Sequence, residues 1–339
     1  MAALETAITN IYEPSVASAY LLEQTTEKSL LVQSGIAAAD PTVSAAALQG
    51  GRNFEMPFWD DLAHDTGTTT RSKVATDDDT AITPVGVTTD YDIAHKHFRT
   101  QAWRAASVVK HIAGADPLQV FVDRYVDWWV REEQRLLLKS LYGCFQDATV
   151  KANLANDIAG EVTTTDAAKL IGSDAILDTR FKLGDAYEKL TAMIMHSVPY
   201  KRLVKLGLID FVPTQDQSMS IPSYMGIRVI VDDTMTTVAG STSGYKYYTY
   251  LFGAGAIARV DLPLGVDDPA FEVYRNPTLG TGSGSVEVIT RKYFVMHPRG
   301  IKFTATPSVS PSDAELIADN WDQVYLTKNI RIALLITNG

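Results

Sequence analysis

The sequence predicts an α+β fold, and three observations carry that reading. Residues 116–146 read as one helix, much longer than a globular domain ordinarily needs. Elsewhere helical and strand-like stretches are interspersed without the βαβ repeat of a parallel sheet. Long stretches of small or polar residues, 1–50 and 60–84, cannot bury themselves, so much of the chain is spent on extensions.

The long helix has a clear start. Asp116 is a candidate N-cap, Pro117 sits where a missing N–H costs nothing, and Gln119 falls at the capping-box position. Leu118, Phe121, Val122, Tyr125, Trp128, Trp129, Leu136, Leu137, Leu141 and Phe145 recur mostly at spacings of three and four, a helical stripe. Asp123, Asp127, Arg131, Glu132, Arg135 and Lys139 occupy the other face, with Asp127 and Arg131 in the favourable four-residue order. Such a helix spans roughly 45 Å. Gly143 weakens its last turn.

A chain of 339 residues that is 46% hydrophobic can build a sizeable core or two domains. Its net charge of -10 argues against a general nucleic-acid binder, which needs Lys and Arg in excess. The single cysteine, Cys144, permits neither an internal disulfide nor a cysteine metal site and is expected as a small buried hydrophobe. No apolar run reaches the length of a membrane span, and the N-terminus lacks a basic region followed by an apolar one. Folding in a reducing cytoplasm is expected.

In chain order, residues 1–50 contain one modest helical patch near Val16–Leu22 and close on the break Leu48-Gln49-Gly50-Gly51. The run Asn53–Trp59 alternates like a strand, and its Pro57 belongs at a sheet edge or on a projection. The polar stretch 60–84 reads as an exposed loop or hairpin tip, followed by strand-like alternation at Val85, Val87 and Tyr91 and a mixed segment with Phe98 and Trp103. Its two arms form a long hairpin. Beyond the helix come a polar connector at Asn153–Thr165, a helix over Ser173–Leu183 ending at Gly184, a buried strand at Ala192–Met195 and a helix at Ser197–Leu206 stopped by Gly207. Strands follow at Ile227–Val231 and Tyr245–Ile257, the latter kinked by Gly253 and Gly255, and at Val286–Phe294, from which residues 297–300 turn into Ile301–Phe303. Ser312 and Glu315 form a capping box for the last helix, and Ile330–Thr337 makes a terminal strand.

The candidate chemistry is thin. His95 and His97 would share one strand face as a metal pair, but zinc wants three or four ligands and no third is near in sequence, which favours a structural role. His196-Ser197 adjacency gives no triad geometry, so Ser197 is read as a helix cap. Gly280, Gly282 and Gly284 neither follow a buried strand nor open a helix, which makes them a flexible turn and not a phosphate loop. Asp77-Asp78-Asp79 lacks calcium-loop spacing, and Asp232-Asp233 is turn chemistry. No catalytic, cofactor or metal residue is assigned. Extensions that cannot bury themselves suggest burial by other copies of the chain.

The order of elements resembles the major capsid proteins of tailed bacteriophages, the family of the HK97 fold. The loose N-terminus resembles the N-arm, Phe54–Trp59 with the polar tip the E-loop, and 116–146 the spine helix of the P domain. Met195-His196-Ser197 with Tyr200–Leu203, Ile221-Pro222 and Gly226–Asp233 resemble the A-domain core. Tyr250–Ala256 and Ile289–Lys292 before residues 297–300 fit the same pattern. The resemblance implies an N-arm at 1–50, an E-loop at 51–103, a P domain at 104–180, an A domain at 181–265, a return to P-domain strands at 266–306, and an A-domain helix and strand at 307–339.

The resemblance further implies hexamers and pentamers of an icosahedral shell, with Phe54, Met56, Phe58, Trp59, Arg71 and Lys73 as assembly-contact candidates. Some members crosslink through an E-loop lysine. Lys73 is the one in the tip here, and its partners in that reaction find no match. Without a long charged helical extension at its start, the chain is expected to use a separate scaffolding protein, with a portal and room for a cement protein outside. It would enclose double-stranded DNA without sequence-specific binding, touch no membrane, assemble in the host bacterial cytoplasm and reside in the virion. An encapsulin-like compartment enclosing an enzyme shares the same fold and is the nearest alternative, and a soluble enzyme resting on His95, His97 and His196 is a remote one.

Overall fold

The computed structural model describes residues 36–38, 41–48, 50–60, 81, 87–113, 117–161, 166–213, 220–240, 243–264 and 269–339. The patch Val16–Leu22, the cap Asp116 and the hairpin tip with Arg71, Lys73 and Asp77–Asp79 lie outside the described residues.

The long helix runs over Pro117–Cys144, 28 residues, which is about 42 Å. It ends slightly before the expected boundary because Asp147 caps a new helix, Ala148–Leu154, by accepting the Val150 N–H at 2.7 Å. The C-terminal half of the long helix is core: Leu136, Leu137, Leu141 and Cys144 are fully buried, while Val122 and Val126 near its start are exposed.

Two sheets flank this helix. In the five-stranded sheet, the 14-residue strand Ser285–Pro298 pairs along one edge with His97–Ala106. Along its other edge it pairs first with Phe271–Asn276 and then with Ile257–Asp261, and Ala37–Ala38 adds a parallel partner to the latter. The long helix lies on this sheet, where the Trp129 indole N–H donates to Thr290 Oγ1 at 3.1 Å. Glu133, 1% exposed, accepts from Arg259 at 3.1 Å and meets Lys292, which ties helix to sheet through one buried carboxylate.

The eight-stranded sheet runs in the order Ala155–Asp157, Ile332–Asn338, Tyr245–Gly253, Leu190–Met195, Ile227–Val231, Ser220–Tyr224 and Asp210–Pro213, and Thr237–Ala239 also pairs with Tyr245–Gly253. Its central strands are nearly continuous apolar runs because both faces are covered, and Ile332–Asn338 is buried throughout.

Several sequence expectations are corrected. Tyr245–Ile257 is not one kinked strand: Tyr245–Gly253 belongs to the large sheet and Ile257–Asp261 to the other. Gly255 at φ 66° turns the chain between them, and a Cβ on Gly253 would strike the Lys189 carbonyl oxygen. The segment around Phe98 and Trp103 is a regular strand, and Asn153–Thr165 begins as the end of a helix and a short parallel strand whose partner lies far along the chain. The helix expected over Ser173–Leu183 ends at Arg180 and continues as a 3₁₀ segment, Phe181–Lys189, broken at Gly184 (φ 60°). His196, not Ser197, caps the helix Ser197–Lys205: its ring Nδ1 accepts the Val198 N–H at 3.2 Å, and Asp233 accepts the Ser197 N–H at 3.0 Å.

Within 307–339 the short helix Asp313–Ile317 rests on the long helix, Trp321–Gln323 pairs with Ile301–Phe303, and Ile332–Asn338 enters the large sheet. The Ser312–Glu315 capping box is present.

Candidate assembly surfaces

The hairpin Asn53–Trp59 with Thr89–His95 is a separate two-stranded sheet, in register from Asn53 opposite His95 to Trp59 opposite Thr89. Successive side chains of a strand point to opposite faces, and the two faces here have different fates. Phe54, Met56 and Phe58 turn toward their own subunit. Phe54 is buried in a small core with Val43, Ala47, Ala258, Val260 and Val295, Met56 packs against that core, and the Phe58 ring meets Tyr325 edge-on at 4.8 Å. Glu55, Pro57 and Trp59 turn outward. Trp59 is 73% exposed and Tyr91, opposite Pro57, is 45% exposed. Of the six assembly-contact candidates, therefore, three pack within the chain, Trp59 is exposed among the described residues, and Arg71 and Lys73 lie outside them.

The base of the hairpin is clamped to the body. Arg52 donates to the carbonyls of Pro307 at 3.0 Å and Ser308 at 2.6 Å, and the Asn53 amide donates to Ala305 O at 3.0 Å. Asp92 reaches across to the long strand: its carboxylate lies 3.0 Å from His297 Nε2 and accepts the Gly300 N–H at 3.0 Å. Burial pushes this carboxyl up, but His297 and the backbone N–H groups together hold it below the ordinary aspartate value.

His95 and His97 do come together, Nε2 to Nε2 at 3.0 Å, fully buried. Among the described residues no group of three or more His, Cys, Asp or Glu is arranged to hold a metal. His196 is used as a helix cap, with Ser197 Oγ 3.4 Å from its ring.

A second electrostatic node joins the last helix to the long one. Asp313 accepts from Arg135 at 2.7 Å and Lys139 at 2.5 Å, with Arg99 at 4.0 Å. Burial opposes ionisation, but the Arg135 and Lys139 contacts outweigh it and hold the carboxyl at about 2. The pair side chains are 30–42% exposed, so solvent screens them. Asp313→Asn is expected to cost about 1 kcal/mol near neutral pH. Because the folded pKa is depressed, that contribution is complete above the ordinary aspartate value of 3.8 and disappears as pH falls toward about 2. Denaturation midpoints of variant and wild type should differ near neutrality and converge in acid.

No family model matches the sequence. The major capsid protein of Bacillus phage SPP1 is 37% identical over 333 residues, covering 96% of each chain. The chain belongs to the bacteriophage major capsid proteins. Its fold is that of the HK97 family: the capsid protein subunit resembles the capsid of Ralstonia phage GP4 with a TM-score of 0.62 at 8% identity, over 98% of this chain and 97% of that one. An encapsulin complex from Synechococcus elongatus is similar at a TM-score of 0.51 and 10% identity, over 95% and 91% of the two chains. At such identities the likeness speaks to fold alone, so phage shell and enzyme compartment share it. The 37% relative separates them.

Proposed function

We propose that this capsid subunit assembles with copies of itself into hexamers and pentamers that close an icosahedral shell around a double-stranded DNA phage genome. The observation that carries the reading is the hairpin. It is clamped at its base, while Trp59 and Tyr91, flanking Pro57, stay largely exposed among the described residues, with Lys302 reaching over the Tyr91 ring at 5.9 Å. A face of this kind gains by lying on a neighbouring subunit. Each such contact is modest, and closure of a shell multiplies it.

The net charge of -10 suits a wall that holds DNA without gripping it. Scaffolding protein, portal and an exterior cement protein are the partners this reading calls on, with assembly in the host bacterial cytoplasm and residence in the virion. The role is structural, with no catalytic step assigned to the subunit.

Electron microscopy with sedimentation, on the protein alone and with a scaffolding protein, tests the proposal. Shells or capsomer rings are expected, and a monomer under every condition would overturn it. DNA in mature particles supports a phage head, whereas an enclosed enzyme would mean a compartment. Trp59→Ala is expected to leave the isolated subunit within about 0.5 kcal/mol of wild type, as for an exposed side chain. The same change should lower shell yield at least about tenfold, since removing an aromatic anchor costs roughly 2 kcal/mol per contact. Wild-type assembly by the variant would remove Trp59 from the contact.

A further inference from the structure

Asp92, His95, His97 and His297 are buried side by side where the hairpin meets the body. His95 is the last residue of the hairpin strand and His97 the first of the strand that follows, with only Lys96 between them. The Lys96 N–H donates to Arg52 O at 3.0 Å, which closes the base of the hairpin. The His95 ring packs against Phe303 at 4.5 Å and Trp321 at 5.6 Å, and His97 stacks on Phe294 at 5.0 Å. The histidine pair is therefore one contact shared by three parts: the hairpin, the long strand of the five-stranded sheet, and the ribbon Ile301–Phe303 with Trp321–Gln323.

A neutral imidazole carries one N–H, so at 3.0 Å one Nε2 donates to the lone pair of the other. Among the described residues neither Nδ1 has a hydrogen-bond partner. The accepting ring carries its own N–H on Nδ1, already buried without an acceptor, and a proton taken up by the donor ring adds a second such N–H together with a charge. A proton taken up by the other ring sets two N–H groups against each other. Each protonated form therefore adds a buried charge and one further unpaired or opposed N–H to the site.

Nor do the surroundings supply a compensating charge. His95 is faced by His97, His297 and Arg99, all neutral or cationic. His97 is faced by Arg99 and, from the last helix, by Asp313, which is already engaged by Arg135 and Lys139. Asp92 is committed to His297 and the Gly300 N–H. Among the described residues the two neighbouring carboxylates, Asp92 and Asp313, are thus already engaged, and Lys96 between the histidines adds a further cationic group.

We propose that the His95–His97 pair is an acid-released latch: uncharged, it holds the base of the hairpin to the body, and protonation frees the hairpin while the large sheet stays folded. Burial first, then the neighbouring cationic groups, hold both imidazoles in the neutral form, His97 down to about 3. The folded latch binds fewer protons than the open one. Its contribution is complete above the ordinary histidine value of 6.5 and is lost progressively as pH falls from there toward about 3. The inference concerns this chain alone and does not depend on the shell.

Hydrogen exchange of the full-length subunit, corrected for intrinsic rates, tests it at about pH 7 and about pH 4.5, between which the open form takes up protons. Peptides covering 53–59, 89–96 and 321–323 should open at least about tenfold more readily in acid, while the strand 332–338 stays protected. His95→Gln with His97→Gln keeps an amide donor and acceptor and removes both proton sites, and should flatten the response. Should that pair of changes fail to fold, His97→Gln alone should reduce it by about half or more, having removed one site of two. Equal protection of the wild-type hairpin at both pH values would overturn the proposal. So would loosening of 332–338 in step with the hairpin, or a full wild-type response in either variant.

Discussion

Gly143→Ala is expected to destabilise the subunit by about 3 kcal/mol and to loosen the segment 313–321 from the long helix. Helix propensity alone argues the other way, because alanine in place of glycine inside a helix ordinarily gains about 1 kcal/mol. The tertiary surroundings decide the sign. A Cβ at residue 143 would overlap the Leu316 carbonyl oxygen and lie 2.7 Å from the Trp321 indole nitrogen. Those two atoms are hydrogen-bonded to each other at 3.1 Å, and Trp321 and Leu316 are buried, so neither can step aside cheaply. The backbone of the last helix must lift, exposing Leu316 and breaking the Asp313 contacts. Chemical denaturation gives the magnitude, and a stabilised variant would show that the helix end and the 313–321 segment are not in contact.

The second large effect is expected at Glu133. Its carboxylate is almost fully buried between the long helix and the five-stranded sheet and holds Arg259 and Lys292 together. Glu133→Ala leaves two cations facing each other without their shared anion. Breaking a buried ion pair by removing one partner costs about 3–5 kcal/mol. Here the cationic side chains are 28% and 27% exposed and can turn partly to water, so the lower end, about 3 kcal/mol, is expected. Glu133→Gln should cost less, since one amide oxygen still accepts from Arg259. Urea midpoints of the two variants order them, and equal stability of Glu133→Ala and wild type would mean that the node contributes nothing net.

Much of the fold was legible from local signals. The stripe of apolar residues and the proline at its start announced the long helix, the Ser312–Glu315 pair its short counterpart, and β-branched runs the strands at Ile227–Val231 and Ile332–Asn338. These signals lie within a few residues of one another, where periodicity and capping act. The alternation of Asn53–Trp59 was likewise visible, yet which face turned inward was not. Phe54, Met56 and Phe58 differ from Trp59 only in what the rest of the chain brings to them, namely Val295, Ala258 and Tyr325 from far along the sequence.

The same limit explains the misread boundaries. Tyr245–Ile257 looked continuous because strand propensity is local, whereas the division between two sheets at Gly253–Gly255 is set by pairing with Ile332–Asn338 on one side and Ser285–Pro298 on the other. His95 and His97 were visible as a pair, but burial and the placement of His297 and Asp92 beside them come from strands some 200 residues apart. Sequence by itself determined the element types, the extended character of the hairpin and the acidic, cysteine-poor composition. Tertiary structure alone decided which aromatic face stays open, why residue 143 must be glycine and where ionisable groups lose water, because each depends on atoms that only long-range packing brings within a few ångströms.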